Sequence, residues 1–119
     1  MKKLLLLLFI AFGVTLSHAN GIRVLFIGDS ITDGGWGRSG GDMRSSQERN
    51  QWDLNHIYGH SYMFLCAAYY QSAFPEKGLQ FYNRGISGNT LNDLSARWEE
   101  DAIALHPDVI SILVGTNDV

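Results

Sequence analysis

The stretch IRVLFIGDS, residues 22–30, decides the fold. Apart from Arg23, residues 22–27 are apolar and rich in β-branched side chains, and a glycine, an aspartate and Ser30 follow at once. A short apolar run that ends in glycine is typical of a strand buried on both faces, as the strands of a parallel sheet are. We therefore expect the mature chain to open with a buried strand of an α/β domain.

The residues before this strand have the pattern of an export signal. Lys2 and Lys3 precede an uncharged apolar stretch, residues 4–16, and SHA at residues 17–19 offers small residues at the −3 and −1 positions of a cleavage site. The alternative is a transmembrane anchor, but the apolar run is shorter than the about 20 residues that span a bilayer. We expect a signal peptide over residues 1–19, no stable membrane anchor after cleavage, and a periplasmic or secreted bacterial domain over residues 20–119.

Composition argues against nucleic-acid and metal sites. Without the signal, 7 Lys and Arg stand against 12 Asp and Glu, a net charge of −5 with no basic run, so the electrostatic footprint of a nucleic-acid binder is missing. Cys66 is the single cysteine and lies among apolar residues, so we expect a buried small hydrophobe rather than a nucleophile. His56 and His60 are spaced i, i+4, but no third ligand stands out, so neither a metal nor a cofactor is expected.

After the first strand, a polar segment precedes a helix. Residues 33–56 contain several glycines and charges and few aliphatics, which predicts a long loop. Trp36 and Trp52 within it either pack on the domain or form platforms for a substrate. Residues 58–74 have the helical period of 3.6, which predicts a helix ended by Pro75. Its predicted buried face consists of Tyr58, Tyr62, Leu65, Cys66, Tyr69 and Ala73.

The rest of the chain repeats the alternation of strand and helix. A strand is expected at residues 79–82 and a loop at 83–89. Thr90 and Asp93 form a capping box for a second helix that ends before Pro107. A third buried strand is expected at residues 108–114. The predicted buried face of the second helix consists of Leu91, Leu94, Trp98, Ala102 and Leu105.

Strand, helix, strand, helix, strand is the pattern of right-handed βαβ units on a parallel sheet. Such folds place their sites beyond the carboxyl ends of the strands. Three polar, glycine-bearing segments leave those ends, at residues 28–30, 83–89 and 115–118, and we expect them to converge on one edge.

The three segments contain residue types suited to acyl transfer. Ser30 follows a buried strand and a glycine, so its hydroxyl is expected to be exposed at the start of a helical turn. Gly88 offers an unshielded backbone N–H and Asn117 a side-chain amide, the kinds of donor that stabilise a developing oxyanion. Each residue alone is also ordinary turn chemistry, and Thr32 replaces the second glycine of the G-x-S-x-G elbow.

Together the segments resemble the SGNH/GDSL hydrolases. GDSIT at residues 28–32 is similar to the first block of that family, NRGISGNT at 83–90 to the second, and GTND at 115–118 to the third. The resemblance implies a flavodoxin-like α/β/α sandwich with a parallel sheet that hydrolyses carboxylic esters without a metal. It implies Ser30 as nucleophile and an oxyanion hole formed by the Ser30 and Gly88 backbone N–H groups and the Asn117 side chain. Asp29 and Asn83 are implied as supporting residues.

The sequence departs from the family in one respect. Members carry an Asp-x-x-His block near the C-terminus, which supplies the general base, and no such block follows residues 115–118. We expect that the domain is truncated at its C-terminus and that this fragment is an inactive enzyme. The alternative is that the chain is a natural short product. We expect the full enzyme to act on small-molecule or carbohydrate esters, with acetylated polysaccharide favoured by the acidic, tryptophan-bearing loop.

Two rival functions use the same architecture. One is a carbohydrate-binding or structural module that retains the fold without the chemistry, and an Asp-x-x-His block further downstream would argue against it. The other is a flavodoxin-like nucleotide binder, which is disfavoured because neither G-x-G-x-x-G nor a P-loop follows the first strand.

Overall fold

The computed structural model describes residues 21–36 and 57–119 and contains a three-stranded parallel sheet. Its strands are β1 (Arg23–Gly28), β2 (Gln80–Gly85) and β3 (Val109–Leu113), in the order β2-β1-β3. Val24 of the central strand pairs with Phe81 on one side and Val109 on the other. The parallel sheet expected from the alternating pattern is therefore confirmed.

Short helices connect these strands. They are α1 (Ser30–Asp33), α2 (Tyr62–Ala73), α3 (Leu91–Ala96) and α4 (Trp98–Asp101), with 3₁₀ turns at Pro75–Lys77 and Ile103–Leu105. The predicted capping box is present, because the Thr90 hydroxyl accepts from the Asp93 backbone N–H and the Asp93 carboxylate accepts from that of Thr90.

The core lies on both faces of the sheet because successive residues of β1 point to opposite sides. Leu25 and Ile27 pack with Leu94 and Ala102 on one face. On the other face Phe26 packs with residues of α2 and β2, and the buried members of this second cluster are Phe26, Met63, Ala67 and Phe81. Helices on either side of a parallel sheet make the expected α/β/α sandwich of flavodoxin-like type.

Three predicted boundaries were wrong. β2 continues through Gly85, so Asn83 belongs to the strand rather than to a loop and pairs with Phe26. α2 begins at Tyr62 rather than at residue 58, because Gly59 has a φ of +69° that ends any regular helix there. The predicted second helix is broken at Arg97, whose φ of −110° and ψ of 10° are not helical.

The predicted buried faces need correction as well. On α2 the fully buried residues are Met63 and Ala67, whereas Leu65 and Tyr69 are 67% and 63% exposed. Leu91, in the first turn of α3, is also exposed. The third strand was predicted to be buried, but in the described residues β3 is an edge strand with every apolar side chain at least partly in solvent.

Two smaller expectations concern Cys66 and the tryptophans. Cys66 is half-buried and packs against the α2 face of the core, which agrees with an apolar packing role. Trp36 is 2% exposed and packs on the domain instead of facing solvent. Trp52 and His56 lie outside the described residues.

Candidate active site

The three polar segments that follow the strands meet at one edge, as predicted. The Ile86 backbone N–H donates to the Gly28 carbonyl at 3.0 Å and the Asp29 N–H to the Leu113 carbonyl at 3.3 Å, so the first segment is bonded to both neighbours. Asn117 Nδ2 donates to the Asn89 carbonyl oxygen at 3.0 Å, which joins the third segment to the second.

Ser30 is the first residue of α1 and is exposed. Asp29 is the N-cap, and its Oδ1 accepts from the Ile31 backbone N–H at 3.0 Å. This cap fixes the start of a very short helix, because the first amides of a helix have no carbonyl partner within it. The serine hydroxyl is thereby placed at the surface of the edge where the other two segments arrive.

Asp29 itself is turned inward. The residue is 1% exposed, and its Oδ2 has no hydrogen-bond partner among the described residues. A carboxylate buried in this way is not accessible to a substrate on the outer side of the edge. The structure therefore gives Asp29 a place beside Ser30 that suits a supporting residue rather than a reacting group.

Asn83 attaches α1 to β2. Its Nδ2 lies 3.0 Å from the Thr32 carbonyl oxygen, 3.2 Å from that of Asp33 and 2.9 Å from that of Tyr58, while its Oδ1 accepts from the Gly85 N–H. Carbonyls at the end of a helix lack partners within the helix, and an amide donor satisfies them. This buried side chain thus fixes the helix that carries the candidate nucleophile.

Asp33 is a site residue that the sequence analysis missed. The residue is 1% exposed; its Oδ1 accepts from the Gly35 N–H at 2.9 Å and its Oδ2 from the Ser87 N–H at 2.8 Å. The second bond crosses from α1 to the second segment, next to Gly88. No local pattern in the sequence signals such a long-range contact.

The two remaining candidate donors are open to solvent. Gly88 has a φ of +84°, and a Cβ built on it would have no atom within 4 Å. Asn117 is exposed. Its side-chain amide has two hydrogens, and one of them is directed to the Asn89 carbonyl oxygen. Ser30, Gly88 and Asn117 therefore come to the same edge, each on a different strand exit.

Behind these segments lies a cluster of charged groups that the sequence analysis also missed. Arg97 NH1 is 2.7 Å from Asp101 Oδ2, and Arg84 Nε is 3.9 Å from Asp101 Oδ1. Arg84 lies over the Trp36 ring at 5.0 Å, and Trp36 Nε1 donates to the Gly85 carbonyl at 2.7 Å. Burial lowers the pKa of the Arg84 guanidinium, and the Asp101 carboxylate opposes that shift.

Two histidines, His60 and His106, lie within the described residues. His106 lies three residues before the start of β3, at the edge opposite Ser30, and His60 is exposed beside Gly34. One Asp-x-x-His spacing does occur, at Asp53 and His56, but it lies between the first two blocks and outside the described residues. Within residues 21–36 and 57–119 no group of three metal-ligating side chains occurs.

In the described part of the chain no helix has both the length and the apolar character needed for a membrane span.

Comparison with known proteins gives a consistent picture. Residues 26–119 match the GDSL-like lipase/acylhydrolase family. The chain is 44% identical over 100 residues to the acetylxylan esterase of Geobacillus stearothermophilus, which covers 84% of this chain and 41% of that protein.

Solved structures agree with this match. The acetylxylan esterase Axe2 from the same organism superposes with a TM-score of 0.63 at 42% identity, over 85% of this chain and 42% of Axe2. LAE5, an α/β hydrolase enzyme from the metagenome of Lake Arreo, superposes with a TM-score of 0.68 at 37% identity, over 84% of this chain and 42% of LAE5. The chain spans about two-fifths of the length of these relatives. By sequence and by fold, it belongs to the GDSL-like lipase/acylhydrolase family.

Proposed function

We propose that the protein is an exported carboxylic ester hydrolase with Ser30 as its nucleophile. The observation that carries this proposal is the convergence of exposed Ser30, Gly88 and Asn117 on one sheet edge. That convergence occurs in a chain of a lipase and acylhydrolase family. A nucleophile at a helix start, with amide donors on neighbouring loops, is the arrangement that acyl transfer requires.

In the proposed reaction, Ser30 Oγ attacks the ester carbonyl carbon while its proton passes to a general base. The carbonyl oxygen becomes negative and accepts hydrogen bonds from the Ser30 and Gly88 backbone N–H groups and from the Asn117 side chain. Collapse of this intermediate releases the alcohol, which takes the proton from the base, and leaves an acyl group on Ser30. Water then attacks the acyl carbon while the same base accepts its proton. The bond between that carbon and Ser30 Oγ breaks, Oγ takes the proton from the base, and the carboxylic acid is released.

The base is proposed to come from an Asp-x-x-His block outside this chain. Two solved structures of Axe2, described as catalytic mutants, carry a replaced aspartate and a replaced histidine three positions apart. No such block follows Asn117 in this chain, which spans about two-fifths of that relative. We accordingly expect the isolated 20–119 segment to hydrolyse esters several orders of magnitude more slowly than a protein that contains the block. All measurements of turnover proposed below therefore use protein that contains the block.

The proposed substrate is an acetyl ester on a carbohydrate. Two observations support it: the relative named as an acetylxylan esterase at 44% identity, and the net charge of −5 of residues 20–119, which disfavours anionic lipid surfaces. The test compares kcat/KM for acetylated xylooligosaccharides with that for an octanoyl ester. A preference for the octanoyl ester would exclude the proposed substrate class while leaving ester hydrolysis intact.

The test of the nucleophile uses Ser30→Ala with Ser95→Ala as the matched control. Ser95 is an exposed serine on α3 and belongs to none of the three segments. We expect a fall in kcat of about 10⁴-fold or more for Ser30→Ala and no change for Ser95→Ala. Labelling with an alkyl fluorophosphonate should add one phosphonyl group to the peptide containing Ser30. Turnover retained in Ser30→Ala, or a label on another residue, would exclude Ser30 as the nucleophile.

Export is tested separately. Expression of the protein in a Gram-negative host should deliver it to the periplasm with Asn20 as the first residue, measured by N-terminal sequencing of the periplasmic fraction. A product that retains Lys2 and Lys3 and stays with the cytoplasm or the membrane would contradict the proposed signal peptide.

A further inference from the structure

The side chain of Arg97 donates hydrogen bonds to two of the three segments that carry the candidate catalytic groups, residues 28–30 and 83–89. Arg97 occupies the break between α3 and α4, and its side chain is 14% exposed. Its NH2 donates to the Gly28 carbonyl at 3.2 Å, two residues before Ser30. Its NH1 donates to the Arg84 carbonyl at 2.8 Å, at the end of β2.

The third contact of Arg97 reaches the second polar segment. Arg97 Nε donates to Asn89 Oδ1 at 2.8 Å, and the backbone carbonyl of the same Asn89 accepts from Asn117 Nδ2 at 3.0 Å. The side chain of Asn89 is therefore bonded to Arg97, and its backbone carbonyl is bonded to the side-chain amide of Asn117. This places one residue between the guanidinium and the candidate oxyanion donor.

Asp101 fixes the direction of the guanidinium. The carboxylate is 2% exposed and lies 2.7 Å from Arg97 NH1, one turn further along the chain. A planar guanidinium with a fork of N–H groups can serve several acceptors at fixed angles, which a lysine ammonium cannot do. The burial and the ion pair together leave the Arg97 side chain little freedom.

We infer that Arg97, fixed by Asp101, is a positioning residue that sets the place of the Asn117 amide through Asn89. The inference rests on the proposed ester hydrolase, in which Asn117 is an oxyanion donor. Arg97 touches no reacting atom in this arrangement and acts only through the segment that it holds.

The first test is a pair of substitutions at Asn89. Asn89→Ala removes the acceptor for Arg97 Nε and leaves the Arg97–Asp101 ion pair in place, while Asn89→Asp keeps a side-chain oxygen at that position. Because a misplacement of about 1 Å at a catalytic group costs on the order of 10²-fold, we expect Asn89→Ala to lower kcat by about 10- to 100-fold with KM nearly unchanged. Asn89→Asp should retain most of kcat.

The second test is a double-mutant cycle with Asn117→Ala. If Arg97 acts on the Asn117 amide through Asn89, the loss caused by Asn89→Ala should shrink to less than about 3-fold once that amide has been removed. Arg84→Lys is the matched control, because Arg84 shares Asp101 but, among the described residues, its side chain donates to the Asn83 carbonyl and not to Asn89. Its effect on kcat should be the same with and without Asn117.

The outcomes separate this inference from the proposed function. If Ser30→Ala abolishes turnover but the effects of Asn89→Ala and Asn117→Ala multiply in full, the positioning role of Arg97 is wrong and the esterase stands. If Asn89→Asp loses as much kcat as Asn89→Ala, the contact with Arg97 is not what holds the segment, and the inference is again overturned. Turnover that survives in Ser30→Ala removes the proposed function itself.

Discussion

Asp33 and Ser87, 54 residues apart in sequence, are joined by a hydrogen bond of 2.8 Å between the Asp33 carboxylate and the Ser87 backbone N–H. Asp33 closes α1, the helix that begins with Ser30, and Ser87 precedes Gly88. One buried side chain thus sets the distance between the candidate nucleophile and a candidate oxyanion donor. A change at Asp33 is therefore expected to affect both stability and turnover.

Replacing Asp33 with Asn should destabilise the fold and lower kcat. The amide keeps one acceptor oxygen for two backbone N–H donors, of Gly35 and Ser87, and a buried donor left without its partner costs about 1–3 kcal/mol. Urea unfolding measures the stability and a chromogenic acetyl ester the turnover. Asp108→Asn is the control, because Asp108 also accepts from a backbone N–H, that of Arg23, but is exposed and lies at the opposite edge. Equal losses for both variants would refute the special position of Asp33.

Gly85→Ala should displace α1 from the sheet. A Cβ at Gly85 would lie 2.3 Å from the Asp33 backbone nitrogen and 2.7 Å from the Thr32 carbonyl carbon, neither of which can move without the helix. Overpacking of this kind costs about 1–3 kcal/mol, and here the relaxation would move Ser30 as well. We expect a lower midpoint in urea together with a fall in kcat.

The control for Gly85→Ala is Gly78→Ala. Gly78 lies near the other end of β2 and has a φ of +58°, so alanine is strained there by about 1–2 kcal/mol. The atom nearest to a Cβ added at Gly78 would be 3.6 Å away, so the methyl group would not clash. The control should lose stability and keep kcat. A Gly85→Ala protein with wild-type kcat would show that α1 tolerates the added methyl group without moving Ser30.

The sequence predicts the sheet and the edge of the site well because both follow from local patterns. The apolar run before Gly28 and the run before Gly115 both predict strands of a parallel sheet, and parallel strands bring their carboxyl ends together. This is sufficient to collect Ser30, Gly88 and Asn117 on one side of the molecule. The capping box of Thr90 and Asp93 is equally local and was predicted correctly.

Contacts between distant segments were not predictable in the same way. Asp33 and Arg97 look like ordinary charged residues in the sequence, and only the fold brings them to Ser87 and Asn89. Arg97 also breaks the helix expected from the 3.6 period, while its side chain bonds carbonyls on both neighbouring strands. Hydrogen bonds over such sequence separations leave no periodic signal.

The face of α2 was mispredicted because the helix is apolar on most sides. YMFLCAAYYQSA contains aromatic or aliphatic side chains at nearly every position, so several faces fit the helical period. The structure selects the side with Met63 and Ala67, which lies on Phe26 and Phe81. Substitutions on the two sides should therefore differ strongly.

Met63→Ala should cost about 2–5 kcal/mol, because truncation of a fully buried side chain loses its transfer free energy and leaves a cavity. Leu65→Ala removes a side chain that is 67% exposed and should change the free energy of unfolding by less than about 1 kcal/mol. Chemical denaturation of the two variants measures the difference. A loss for Leu65→Ala that equals the loss for Met63→Ala would mean that the outer side of α2 is covered in the protein.

The last prediction concerns pH and the start of α3. The hydrogen bonds from the Thr90 backbone N–H and hydroxyl lower the pKa of the Asp93 carboxyl below its ordinary value. A carboxyl whose pKa is lower in the folded state stabilises the fold above the pKa of the unfolded chain, and that contribution is lost as the pH falls through the folded value. The difference in stability between the wild-type protein and Asp93→Asn should therefore be largest near neutral pH and should decline below about pH 4.

Titration of the Asp93 carboxyl carbon by NMR measures this shift directly. Thr90→Val removes the hydroxyl and keeps the backbone N–H, so the Asp93 midpoint should move part of the way back toward that of an unperturbed aspartate. Leu91 at the start of this helix also donates its backbone N–H to the Asp118 carboxylate. If Thr90→Val leaves the titration midpoint of Asp93 unchanged, the capping box does not fix the start of the helix, and the bond to the third polar segment does.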